Sequence, residues 1–269
     1  MKKNIIIAAL LFSGSALASC TQMVNGLVKA SVDEVMNYDY EDSEERGPVV
    51  ERTVKVGSFD ELDLSGCVEL IYTQGSDTKV TLRGNEKDLK KYEARVKDGK
   101  LKIGMKQRSN SINRNSPRLT ATVVAPTLKG IDVSGACSLQ MPGKVNLDDE
   151  LDIDVSGAVT MKATDLHVDK LDMDVSGAGD IDLGRLVARQ DVDIDVSGAG
   201  NVKGSIKARD IEVGLSGSGD VKLAVDCNDL SCGVSGAGDL TFSGKCRTFS
   251  KSKSGMASVK TKGLKVTRK

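Results

Sequence analysis

Along the second half of the chain, apolar side chains alternate with acids and each alternation ends in Ser-Gly. Leu171-Asp172-Met173-Asp174-Val175-Ser176-Gly177-Ala178-Gly179-Asp180 is representative. A period of two predicts a strand with one wet face and one buried face. A second short alternation follows (Ile181, Leu183), then a third apolar patch (Leu186, Ala188). Three short strands per turn of about 20 residues, at about 3.3 Å each, give a perimeter of about 65 Å, enough for one aliphatic layer per side. Gly177 and Gly179 are expected to supply the corner by adopting backbone angles that other residues resist.

The unit recurs. Ser-Gly pairs stand at Ser134-Gly135, Ser156-Gly157, Ser176-Gly177, Ser197-Gly198, Ser216-Gly217, Ser235-Gly236 and Ser254-Gly255, in steps of 22, 20, 21, 19, 19 and 19 residues. Near-constant spacing over seven copies predicts stacked units of a solenoid. With no helical period present, the predicted fold is all-β, a right-handed parallel β-helix of about 20-residue rungs. Stacking places Val133, Val155, Val175, Val196, Leu215 and Val234 in one interior column, which breaks at Lys253 with Lys251 on the same face. A polar last rung protects an open solenoid end. From Gly244 to Lys269 there are nine Lys or Arg and no acid. This reads as a solvated cap.

Residues 51–128 repeat less faithfully. Phe59-Asp60-Glu61-Leu62-Asp63-Leu64-Ser65-Gly66-Cys67 is one further copy of the strand, followed by Val68 to Tyr72, a turn at Gly75-Ser76-Asp77, and Lys79 to Leu82. Asn85 to Tyr92 suggests a helical turn, and Ala94–Val96 with Lys100–Ile103 a hairpin around Asp98-Gly99. Gly104 to Arg118 reads as a polar loop bearing Lys106, Arg108, Arg114 and Arg118, a candidate ligand loop.

The chain opens with Met1-Lys2-Lys3-Asn4, an apolar stretch Ile5 to Leu11, and a small, weakly polar run Ser13 to Ser19. This has the form of a secretory signal, too short to span a membrane. Leu17-Ala18-Ser19-Cys20 resembles the lipobox of bacterial lipoproteins, which predicts cleavage before Cys20 and lipid (palmitate) on it. Thr21 follows the Cys where inner-membrane retention commonly uses Asp, so the outer membrane is expected. Thr21-Gln22-Met23-Val24 also lacks an acidic export tag, which leans toward a periplasm-facing anchor rather than the cell surface. The acid-rich stretch after it, ending at Gly47-Pro48, reads as a solvated tether. The expected organisation is therefore signal 1–19, tether 20–50, β-rich part 51–128, β-helical part 129–262 and basic tail 263–269.

Three stretches carry a family resemblance: Val54-Lys55-Val56-Gly57-Ser58-Phe59-Asp60-Glu61-Leu62, Val68-Glu69-Leu70-Ile71-Tyr72-Thr73-Gln74-Gly75 and Asp98-Gly99-Lys100-Leu101-Lys102-Ile103. They look like the start of a head GIN domain. The Asp-Val-Ser-Gly-Ala-Gly rungs at 174–179 and 195–200 resemble its second half, with Val159 in place of the second Gly in one rung. The likeness spans about residues 54 to 260. The family is known as "putative auto-transporter adhesins" and is common in Bacteroidetes. The resemblance implies a β-helical fold and an adhesive function, and brings no catalytic residues with it.

Charge balances at 38 Lys+Arg against 38 Asp+Glu, which argues against a nucleic-acid partner. Losing Lys2 and Lys3 with the signal would leave 36 basic side chains against 38 acidic ones. With one His, no Trp and 3% aromatics, most Ser-His and Cys-His catalysis lacks its base and sugar platforms are few. Sequences of the forms G-x-S-x-G, H-E-x-x-H, G-x-G-x-x-G and the P-loop are absent.

Two acid columns are expected on the outer face. Asp132, Asp154, Asp174 and Asp195 sit two before the repeat Ser, and Asp152, Asp172, Asp193 and Glu212 four before it. Stacked carboxylates repel unless water, salt or cations intervene. Oxygen clusters suit Ca²⁺, whereas a charged face that keeps the sheet soluble needs no ion. Cys227 and Cys246, each eight before a repeat Ser, are expected in neighbouring rungs, either bonded or as small buried side chains. The expectation is a lipid-anchored, non-catalytic β-helix of the cell envelope, adhesive or structural, with a protein or polysaccharide partner. The alternative is a carbohydrate-binding or carbohydrate-active β-helix.

Overall fold

The computed structural model describes residues 46–107 and 117–268. In chain order the elements are β1 (Val49–Val54), β2 (Glu61–Leu64), β3 (Cys67–Gln74), β4 (Lys79–Asn85), α1 (Glu86–Leu89), β5 (Tyr92–Lys97), β6 (Lys100–Met105) and β7 (Arg118–Ala125). Paired strands follow: β8 (Gly130–Val133) and β9 (Ala136–Asn146), β10 (Glu150–Val155) and β11 (Ala158–Val168), β12 (Lys170–Val175) and β13 (Ala178–Ala188). The chain continues through β14 (Asp191–Val196), β15 (Ala199–Lys207), β16 (Asp210–Leu215), β17 (Ser218–Val234), β18 (Ala237–Lys253) and β19 (Ser258–Val266).

The result is a parallel β-solenoid of about seven turns with rungs of roughly 20 residues. Like residues stack in register, for example Asp154 on Asp174 and Val155 on Val175. The interior column from Val133 to Val234 is buried, and Val234 is followed in register by exposed Lys253. Through the middle of the solenoid each turn has two strands rather than three separate ones, and in β17 and β18 the second strand of one turn runs unbroken into the first of the next. The second and third apolar patches lie on one strand that shifts register at Asp182–Arg185, where Gly184 takes φ +52°.

The repeat glycines serve a different purpose from the one expected. Gly177 and Gly179 have no positive φ; among the described repeat copies of Ser-Gly only the end ones, Gly66 (+88°) and Gly255 (+76°), do, and outside the repeat Gly244 after Ser243 does too (+95°). The interior ones are required because rungs touch there. A Cβ on Gly177, Gly198, Gly217 or Gly236 would lie 1.9 Å from the carbonyl oxygen of the preceding repeat glycine. The hydroxyls of Ser134, Ser156 and Ser176 reach back one rung, Ser176 Oγ donating to the Val155 carbonyl at 3.3 Å.

Space and chain order part company at the N-terminal end. β2 pairs in parallel with both β6 and β8, and β3 with both β7 and β9. The chain thus builds the β2–β3 rung, passes to its outer side for the β6–β7 rung, and returns to its inner side for β8–β9. Antiparallel strands close that outer end, β5 on β6, β4 on β7 and β1 on β4, with Leu89 of α1 buried beneath. The β5–β6 hairpin turns at Asp98 (φ 54°) and Gly99 (φ 77°), as its sequence predicts. Tyr92 Oη ties this cap to the rungs, accepting from the Cys67 N–H at 2.9 Å and donating to the Pro117 carbonyl at 2.7 Å. The other end differs: among the described residues no element covers β19 or the last residues of β18.

Candidate functional site

The outer face formed by β8, β10, β12, β14 and β16 collects the acids. Asp132, Asp154, Asp174 and Asp195 stack in register, then give way to Gly214, Gly233 and Ser252. Beside them run Asp152, Asp172, Asp193 and Glu212, continued by Ser231 and Ser250. A third column, Glu150, Lys170, Asp191, Asp210 and Asp229, escapes pattern reading because Lys170 interrupts it.

Strands about 4.8 Å apart hold these carboxylates close to one another. Partial burial, then the charges of Glu150 and Asp172, raise the Asp152 carboxyl above the ordinary range. Burial followed by Asp132 and Asp174 does the same at Asp154, and burial followed by Asp195 and Glu212 at Asp193. Cations temper the edges of the face. Lys170 Nζ sits 2.5 Å from Glu150 and 3.5 Å from Asp172, and Lys100 Nζ bridges Asp132 (2.5 Å) and Glu61 (2.8 Å). Arg209 grips both oxygens of Asp191 at 2.7 Å.

Of the acids considered for Ca²⁺, the structure draws Asp152 and Asp172 together with Glu150, their nearest oxygens within 4.8 Å of one another. Asp154, Asp174, Asp193 and Asp195 belong to the columns but not to this cluster. Ca²⁺ takes six to eight oxygens, and the ammonium of Lys170 already pairs with two of the three carboxylates here. The fit is poor. The arrangement suits an extended, hydrated charge surface better than a closed ion cage.

Where the Asp columns end, a groove of about 480 Å³ opens on the outside of the solenoid, lined by Asp174, Asp195, Ser197, Ser216, Ser235 and Ser254 among others. The Asp195 side chain leans over Gly214, where a Cβ would meet its Oδ1 at 1.7 Å. The groove offers hydroxyls and two carboxylates and no ring.

The basic loop divides differently from its sequence reading. Arg108 and Arg114 lie outside the described residues, as does Cys20. Lys106 Nζ donates to the Lys90 carbonyl at 2.8 Å. Arg118 is not in the loop at all: it opens β7 and is 5% exposed, in register with Cys67. The alternation Leu119, Ala121, Val123 begins directly after it, and strand pairing carries it inward.

Cys227 and Cys246 are in register on β17 and β18, and both are free thiols. Burial, then Cys246 and the acids Asp210, Asp226 and Asp229, push the Cys227 thiol up to about 12. The single imidazole, His167, joins an ion-pair cluster, its Nε2 3.1 Å from Asp165, which Arg185 also holds at 2.9 Å.

Solved structures share this fold. A "putative adhesin" from Bacteroides fragilis NCTC 9343 superposes with a TM-score of 0.63 at 22% identity, covering 82% of this chain and 99% of its own. A second from Parabacteroides distasonis ATCC 8503 gives 0.61 at 22% identity with the same coverage. One from Parabacteroides merdae ATCC 43184 gives 0.52 at 16%, covering 84% of this chain and 100% of its own. No curated protein matches this chain. The family model "Putative auto-transporter adhesin, head GIN domain" matches residues 58–205 and 193–268, which takes in the acid columns, the groove and the last rung alike; the chain belongs to that family.

Proposed function

We propose that this chain is a non-catalytic adhesive module of the cell envelope, held to the outer membrane by lipid on Cys20 and displayed outward. The observation that carries the reading is the outer face itself. Rows of identical side chains at a fixed repeat, first carboxylates and then Gly and Ser, form a template for an extended protein or polysaccharide ligand rather than a pocket for a small substrate. Family membership supports adhesion. The lipobox-like Leu17-Ala18-Ser19-Cys20 supports the anchor. The lack of an acidic run after Cys20 weighs for the periplasmic side, and adhesion weighs for the surface. Lipidation is tested by the mass of the N-terminal peptide, and by whether Cys20→Ala moves the protein from membranes to the soluble fraction.

The hydroxyl-lined groove favours one second reading, a carbohydrate-binding or carbohydrate-active face. Incubation of purified protein with envelope and host polysaccharides separates the two: new reducing or unsaturated ends mean catalysis, and retention without cleavage means binding.

A further inference from the structure

The two ends of the solenoid are unequal. The N-terminal end is closed by antiparallel strands and α1. At the other end the core runs out uncovered, with Phe249, Val259, Leu264 and Val266 only half-buried and Met256 65% exposed. Around this apolar end stand Lys251, Lys253, Lys262, Lys265 and Arg268, all exposed, and none forms an ion pair among the described residues. The free edges of β19 and of residues 248–253 carry backbone donors and acceptors that only another polypeptide strand can match in register. Pairing this edge with the same edge of a second copy would set Lys against Lys, which is unfavourable. The edge therefore selects an extended segment that is acidic and partly apolar.

The chain contains one. Residues 33–45 hold Asp33, Glu34, Asp39, Glu41, Asp42, Glu44 and Glu45 with no Lys or Arg, and Met36-Asn37-Tyr38-Asp39-Tyr40-Glu41 alternates apolar and polar side chains with strand period. We propose that the last rung of one copy is completed by the acidic segment 33–45 of a second copy, joining molecules head to tail. The same chain cannot supply it. Arg46, which follows the segment, is tied to Asp88 of α1 at the N-terminal end. Ten strand-to-strand steps separate β1 from β19 along the ladder, about 48 Å. The thirteen residues 33–45, fully extended, span about 43 Å and would be spent on the distance alone. A heterologous contact of this kind does not close on itself and builds chains. Removing lysines at the edge should unmake it.

Sedimentation velocity of the full chain over a range of concentrations tests the contact. Species larger than a dimer are expected to grow with concentration and to recede in high salt. Lys251→Glu with Lys253→Glu is expected to weaken association about tenfold or more, as desolvated charge pairs at interfaces do. Asp39→Lys, Glu41→Lys and Glu44→Lys together should do the same, and combining both sets should restore it. These positions are exposed or outside the described residues, so thermal melts of the edge variants should match the parent; should the lysine pair fail to fold, the acidic-segment variant alone decides. A monomer at every concentration, or association unchanged by both charge reversals, overturns the proposal.

Discussion

A Cβ placed on Gly177 would lie 1.9 Å from the carbonyl oxygen of Gly157 in the neighbouring rung. That contact sets the rung spacing at the corner and makes the Ser-Gly repeat a packing requirement. Gly177→Ala must push rungs apart across a stack that is otherwise in register, at a cost of about 3 kcal/mol. At Gly233, also in the repeat, nothing lies within 4 Å of an added Cβ. Gly233→Ala should be neutral or stabilise by up to about 1 kcal/mol. Chemical denaturation of the two variants side by side checks this, and equal effects would refute the packing account.

Asp154 carries its charge against burial and against Asp132 and Asp174. Its folded-state pKa is raised, so its ionisation opposes folding. That opposition is absent below the ordinary carboxylate range and complete above the raised value. Asp154→Asn should therefore melt higher than the parent at pH 7, by about 1–3 °C, with the gap closing as pH falls below about 4. Thermal melts across pH measure it.

Asp229 shows the opposite sign. Hydrogen bonding from Thr248 lowers its pKa, the cost of burial works against this, and the Arg247 charge adds to it. Its stabilisation is present above the ordinary carboxylate range and is lost as pH falls through the lowered value. Asp229→Asn should melt lower than the parent at pH 7 and converge with it in acid, a pH profile inverted from that of Asp154→Asn.

Lys170 lies against Glu150 and Asp172, its pKa raised chiefly by hydrogen bonding to Glu150. Lys170→Gln leaves Glu150, Asp152 and Asp172 facing one another. The variant should melt lower than the parent in low salt and regain most of the difference in about 1 M NaCl, where screening acts within about 3 Å. It should also respond more to millimolar Ca²⁺ than the parent does, because the competing ammonium is gone. Melts with and without each salt read both effects.

The Cys227 thiol, pushed up to about 12, is almost wholly protonated near neutrality. Since the thiolate is the nucleophile, alkylation of the native protein should be slow at pH 7.5 and keep rising through pH 10, where an ordinary thiol has levelled off. Mass spectrometry of peptides after timed iodoacetamide labelling gives the rate. A plateau near pH 9 would contradict the half-buried, acid-flanked setting.

The repeat from Ser134 onward is legible because every rung carries its own signature, so strand, corner and buried column follow from local pattern. The reason for Gly177 was not legible, since no sequence pattern reports how closely Gly157 approaches it. Nor was the inversion that puts β6 and β7 outside β2 and β3: pairing of Glu61 with both Lys100 and Gly130 joins residues far apart in the chain. Two acid columns could be counted from their distance to Ser, but the third was hidden by Lys170. Arg118 looks like loop in the sequence because basic residues precede it, whereas the alternation that makes it strand begins just after it.

Protease treatment of intact cells, followed by immunodetection of this protein, tests the proposed role most directly. An outward-displayed adhesive solenoid predicts its loss from protease-treated cells whose outer membrane is still closed, while periplasmic markers survive. Protection until the outer membrane is opened would place the acid and Ser faces in the periplasm and contradict an adhesive function.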